Sequence, residues 1–166
     1  MPSQDDYSTV RPGSPDAVQV FFQRPLFLSL TIGIPFCIFK LLFGLVAEHV
    51  GAVANPVLAP VGRLIILWAG ADLLMNGGRI LFDVSGQEAG FEYCTIAQLG
   101  RLFHKPLVFL GVDTLLTFGI ICTMLWSGWI SHLDRVGSYL WYAATTLNLI
   151  SLSLVSLYHE INAEKK

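Results

Sequence analysis

Four stretches of this chain run almost without polar residues, and short polar, glycine-rich or proline-rich segments separate them. They cover residues 26–47, 62–82, 107–129 and 139–158. A helix needs about 20 mostly apolar residues to cross the hydrocarbon core of a bilayer, and each stretch reaches that length. None shows the period-two alternation of a barrel strand, and each is about twice a barrel strand's length. The pattern predicts an all-α polytopic membrane protein, a four-transmembrane-helix bundle. Its expected organisation is a polar tail over 1–25, a transmembrane domain over 26–159 and a charged tail over 160–166. The first stretch follows 25 polar residues, has no basic start and exceeds the usual 7–15-residue signal h-region, so it reads as a retained helix.

The connections differ in kind. The first, EHVGAVANPVLAPVG, carries two prolines and reads as a short hairpin with Pro60 close to a helix start. The third, SHLDRVG, is tight and makes the last two spans antiparallel neighbours. The second is long, DVSGQEAGFEYCTIAQLGRLFHKP. Within it Ile96, Leu99 and Phe103 recur at helical spacing, with Glu92, Gln98 and Arg101 elsewhere on the wheel. That predicts a short amphipathic interfacial helix in the second loop, and docking into a partner groove is the rival use for its apolar face. The N-terminal MPSQDDYSTVRPGSPD is expected to be extended or disordered unless a partner orders it.

Composition agrees with the pattern: 54% of residues are hydrophobic and 13% charged, against about 25% charged in a soluble domain. A net charge of −2 offers no electrostatic reason to expect nucleic acid as a partner. The basic residues are distributed unevenly. Arg11, Arg24, Arg79, Arg101, Lys105, Lys165 and Lys166 fall on one side of a four-span chain, and only Arg63 and Arg135 on the other. The excess assigns both termini and the second loop to the cytoplasmic, matrix or stromal side of a bacterial inner membrane or organelle membrane. Trp126, Trp129, Tyr139, Trp141 and Tyr142 gather around the third loop and read as an aromatic belt at the opposite boundary.

Polar residues inside the spans are the candidates for function. On the first span Ser29, Gly33, Cys37, Lys40 and Gly44 share one face of small residues, the kind of face on which another helix packs closely. Pro35 lies one step off that face and predicts a kink. On the second span Asp72, Asn76, Arg79 and Asp83 form a polar stripe. At ~1.5 Å of rise per residue, Lys40 and Asp72 come to similar depths and should pair. Asn148 lies at nearly the same depth, and Asp113, with Thr117 a turn on, lies level with Asn76 and within reach of Arg79. An isolated charge at such depth costs roughly 2.5–3.5 kcal/mol on insertion scales, so pairing inside the bundle is expected. Two uses compete for the network Lys40, Asp72, Asn76, Arg79, Asp113 and Asn148: fixing helix register, or lining a proton or ion path. Gly77 and Gly78 join the expected helix-packing positions, with local unwinding as the alternative.

Other chemistry is thin. Cys37, Cys94 and Cys122 lie far apart without metal spacing and read as reduced thiols. His49 and His132 fall at one face of the membrane and His104 and His159 at the other, so each pair is a candidate axial clamp for haem or another metal-centred ring. The alternative is four histidines resting at helix ends. NGGR over 76–79 lacks the Walker pattern, and no catalytic constellation or zinc signature occurs. The leading expectation is a non-enzymatic subunit or accessory of a larger membrane complex, partnered by lipid and by other membrane subunits or copies of itself. A small oligomeric ion- or proton-coupled carrier or channel using Lys40, Asp72 and Asp113 is the alternative, and a membrane haem protein the third.

Overall fold

The structure, a computed structural model, describes residues 24–87 and 89–163, so most of the N-terminal tail and the last three residues lie outside it. The described residues form helices and no strands. Helix α1 begins as a turn over Pro25–Leu28, passes through a π-helical segment over Ser29–Gly33 and continues over Ile34–Ala54. Helix α2 covers Leu58–Val84, α3 Thr95–Leu102, α4 Pro106–Trp126 and α5 Arg135–Ala163. Four segments are long and apolar enough to cross a membrane: Leu26–Gly51, Leu58–Val84, Pro106–Trp126 and Arg135–Tyr158. The chain is an integral membrane protein built as a four-helix bundle, with α3 a short extra helix in the second connection.

Pro35 accounts for the irregular start of α1. It has no N–H for the carbonyl of Thr31, and its ring crowds that carbonyl. The chain widens just before it, where the Ile34 N–H donates five residues back to Ser29 O. The Thr31 hydroxyl donates to Phe27 O at 2.8 Å and accepts from Ser151 Oγ of α5 at 3.0 Å. The distortion expected near Pro35 is therefore a π-helical segment tied to a neighbouring helix.

Helix α1 is central, packing on α2 along its length and also on α4 and α5. Glycines set the α1–α2 approach. A Cβ on Gly62 would lie 2.5 Å from Glu48 N and 2.6 Å from Gly44 O, and one on Gly44 would meet Gly62 O at 2.9 Å. Gly51 faces Ala59 N in the same way, at 2.5 Å. Ser29, Gly33, Cys37 and Gly44 sit on this interior side of α1, Gly33 directly against the Asn76 side chain. Gly77 is a correction. A Cβ there would meet nothing within 4 Å, because its direction on the wheel points away from α1. Gly78 packs on the ring of Phe91 in the second connection and not on a helix.

At the other end of the bundle Phe36, Phe39, Leu42, Val46, Met124, Trp141 and Ala144 form the apolar core. Trp141 belongs to it, edge-on to Phe39 with ring centroids 4.9 Å apart, so it is no part of an exposed belt. Trp129 stacks on Phe43, while Trp126, Tyr139 and Tyr142 face outward. Asp134 caps α5, its Oδ1 accepting from Gly137 N at 2.7 Å.

Candidate functional site

The second connection leaves α2 at Val84 and folds back along the polar stripe of that helix. The Arg79 guanidinium donates to Phe91 O, and its carbon lies 3.8 Å from the centre of the Tyr93 ring. One turn on, Asn76 Nδ2 donates to Tyr93 O at 2.9 Å and to its own helix at Asp72 O at 3.0 Å. One turn further, Asp72 Oδ1 accepts from Thr95 N at 2.7 Å and from Thr95 Oγ1 at 2.8 Å. Irregular backbone placed against the middle of a spanning helix needs partners for its polar groups, and this stripe supplies them. Asp72 stands 12 residues before Val84, about 18 Å along the helix at 1.5 Å per residue.

Helix α3 therefore starts beside the middle of α2, with its N-terminal end aimed at a carboxylate. The partial positive charge of that end favours the anion. Cys94 caps it, Sγ accepting from Ala97 N at 3.4 Å. Cys94, Ala97 and Gly100 form the face that packs inward, and Gly100 admits the side chain of Phe109. The short helix is where the spacing placed it, and the apolar residues that the spacing singled out stay off the packed face: Leu99 and Phe103 point outward and Ile96 is half-buried. Small residues let the backbones of α3 and α4 approach, and the bulky ones are left for the surroundings. Glu92, Gln98 and Arg101 tie this connection to itself. Gln98 Oε1 accepts from Glu92 N at 2.9 Å, and Arg101 donates to Gly90 O and lies 3.9 Å from Glu92. His104 closes the α3–α4 turn with positive φ, while Lys105 N donates to Gly100 O at 3.0 Å and His104 N to Arg101 O at 3.1 Å.

Lys40 sits at the meeting point of three helices. Its Nζ donates to Asp72 Oδ2 of α2 at 2.8 Å and to Asp113 Oδ1 of α4 at 2.6 Å. It also lies 4.1 Å from the centre of the Trp68 ring. All three ionisable groups are at most 5% exposed. Depth counted from the ends of the apolar runs anticipated the Lys40–Asp72 pair. It misplaced Asp113, which meets Lys40 and not Arg79. The chain enters α4 at Pro106 directly from the folded-back connection. Thr117 donates to Asp113 O at 2.9 Å within the same helix.

A cavity of about 330 Å³ lies against the triad. Leu28, Ile32 and Phe36 of α1, Leu110 and Phe118 of α4 and Leu152 of α5 make its apolar walls. Lys40, Asp72, Asp113 and Asn76 form its polar end. Asn148 lines the cavity half-buried, beside the network rather than bonded into it. Asn76 is buried with no hydrogen-bond partner for Oδ1. No periodicity signalled this space, which exists because α4 and α5 both pack on α1 more closely than on each other.

The histidine candidates lie apart from the triad, whereas Cys37 and Cys94 line the same cavity. His49, His104 and His132 are exposed, and the side chain of His159 is outside the described set. No group of three or more metal-ligating side chains occurs among the described residues. Cys37 is buried, its sulfur 3.8 Å from Asn76 Nδ2, and Cys122 is exposed. Burial pushes the Cys94 thiol up to about 12, outweighing the opposing hydrogen bond from the Ala97 amide. Glu48 and Arg63 pair at 2.8 Å at the far end of the α1–α2 hairpin. Compared with family models, with curated proteins and with solved structures, the chain matches none.

Proposed function

We propose that this chain is a non-enzymatic accessory or structural subunit of a larger membrane assembly. One observation carries the reading: the interior charges are engaged in holding the fold. Lys40 is closed in by two carboxylates and an indole face, and Asp72 spends its second oxygen on Thr95. Such a network fixes the register of α1, α2, α4 and the folded-back connection. The first and third connections are short and the second folds back against α2, so the apolar outer surface is the main area on offer to partners. In this reading both termini and the second connection face the cytoplasm, matrix or stroma, as the basic asymmetry supports. Purification in mild detergent followed by native mass spectrometry tests it: foreign subunits in fixed stoichiometry are expected, and a chain that stays free of them overturns it. Cysteine labelling at Ser85 and Ser131 should report opposite sides of the membrane, and labelling of both from one side sinks the orientation.

The cavity beside the triad favours a second reading, a small oligomeric carrier or channel using Lys40, Asp72 and Asp113. The short α3, starting against a carboxylate at the middle of α2, resembles the broken helices that build transport sites. Reconstitution into vesicles with a pH-sensitive dye separates the two. A leak abolished by Asp72→Asn or Asp113→Asn, with folding intact, would replace the assembly reading with this one.

A further inference from the structure

We propose that the cavity beside the triad binds a small lipophilic cation, an ammonium attached to an aromatic or branched apolar body. The inference goes beyond the assembly reading, because it concerns a ligand of the single chain and holds with or without protein partners.

Charge is the first argument. One ammonium and two carboxylates sum to −1, and among the residues lining the cavity no further Lys, Arg or His offsets it. Arg79 is turned to Phe91 O and Tyr93, two turns away along α2. Asp72 is already served by Lys40 and twice by Thr95, whereas Lys40 meets a single oxygen of Asp113. A carboxylate has about four lone-pair sites, so Asp113, with the Cys94 thiol beside it as a further donor, still has acceptor capacity to spare.

Asn76 is 2% exposed, its Nδ2 is committed to two carbonyls, and its Oδ1 is turned against Gly33, so the amide offers the cavity no donor. The spare capacity at the polar end is therefore that of an acceptor, Asp113, which selects for a ligand that donates. An anionic head would be repelled and would leave it unanswered.

The walls define the rest of the ligand. Phe36 and Phe118 meet edge to face with centroids 6.0 Å apart, and Leu110 and Leu152 complete an apolar lining. A dry apolar cavity of about 150 Å³ accommodates benzene, so about 330 Å³ has room for a two-ring body. A bare metal ion would find too few oxygens here for its coordination shell.

The test uses the full chain in phosphatidylcholine nanodiscs and equilibrium dialysis, with empty nanodiscs subtracting partition into lipid. Three probes share one ring system: 1-naphthylmethylammonium, 1-naphthylmethanol and 1-naphthoate. The expected result is saturable binding of the ammonium, one per chain, at least about tenfold tighter than either other probe. Asp113→Asn, which removes the excess charge, should weaken the ammonium by about tenfold or more. Leu152→Trp fills the cavity from α5 without altering a charge and should do the same. Absence of saturable ammonium binding, equal affinity for the three probes, or unchanged affinity in Leu152→Trp would each overturn the proposal. If Asp113→Asn fails to fold, the probe comparison and Leu152→Trp still decide.

Discussion

Thr95 meets Asp72 twice, through its backbone N–H at 2.7 Å and its hydroxyl at 2.8 Å, and so fastens the second connection to the middle of α2. Hydrogen bonds to a charged group contribute about 1.5–3 kcal/mol each. Thr95→Val keeps the shape and the backbone bond and removes the hydroxyl. It should lower stability within that range and speed hydrogen exchange across 91–102, while Thr95→Ser should retain most of both. Unchanged exchange in the valine variant would mean that the hydroxyl does not hold the connection.

Lys40 neutralises carboxylates from two helices, so its removal leaves two buried acids facing each other. Lys40→Met should destabilise by about 3–5 kcal/mol, the range for breaking a buried pair from one side. Adding Asp72→Asn and Asp113→Asn to that variant should restore much of the folded yield. Detergent-resistant folded fraction, read by size exclusion and thermal unfolding, measures both. Losses that simply add across the three changes would show that the side chains do not act together.

Two glycines on α2 should respond in opposite ways to the same methyl group. Gly62→Ala puts a Cβ 2.5 Å from Glu48 N, where backbone and not a flexible side chain must move. A loss of about 1–3 kcal/mol is expected, in line with overpacking elsewhere. Gly77→Ala meets open space and should stabilise, by up to about 1 kcal/mol, because alanine suits a helix interior better than glycine. Equal effects at the two sites would contradict the α1–α2 contact.

Cys94 should be inert while the chain is folded. Its thiol is raised from 9.0 to about 12, and the thiolate is the form that reacts. That rise leaves far less thiolate at pH 8, so maleimide labelling in mild detergent should be much slower than in denaturant. Between pH 9 and 12 the unfolded chain ionises here and the folded chain does not. The unfolded state then binds fewer protons, so stability falls as pH rises through that window. Rapid labelling of Cys94 in the folded protein would contradict its burial.

The four spans were legible in the sequence because length and hydropathy alone decide which segments lipid accepts. Lys40 and Asp72 were legible too, since rise per residue places both near one level. Asp113 was not, because its depth was counted from the end of an apolar run. Where α4 sits depends instead on a connection held by hydrogen bonds at Phe91, Tyr93 and Thr95, which leave no periodic trace. Gly77 and Trp141 were misread for a related reason: composition identifies a packing glycine or a belt tryptophan, but helix orientation decides which way each points. The polar stripe on α2 was visible from the first, yet its role as a ladder for irregular backbone depends on geometry that no single helix contains.

The folded-back connection has a consequence for how the protein is made. Synthesis delivers α1 and α2 first, so Lys40 and Asp72 can leave the translocon as a neutral hairpin already joined by its glycines. Thr95 and Asp113 emerge later on the α3–α4 hairpin, and only then does the second carboxylate reach the ammonium. Insertion by hairpins is then the expected order, the first electrically complete on its own and the α3–α4 hairpin seated on it before α5. A nascent chain arrested after α2 should already be stable in the bilayer, whereas an isolated α3–α4 piece would carry an acid with no base to receive it.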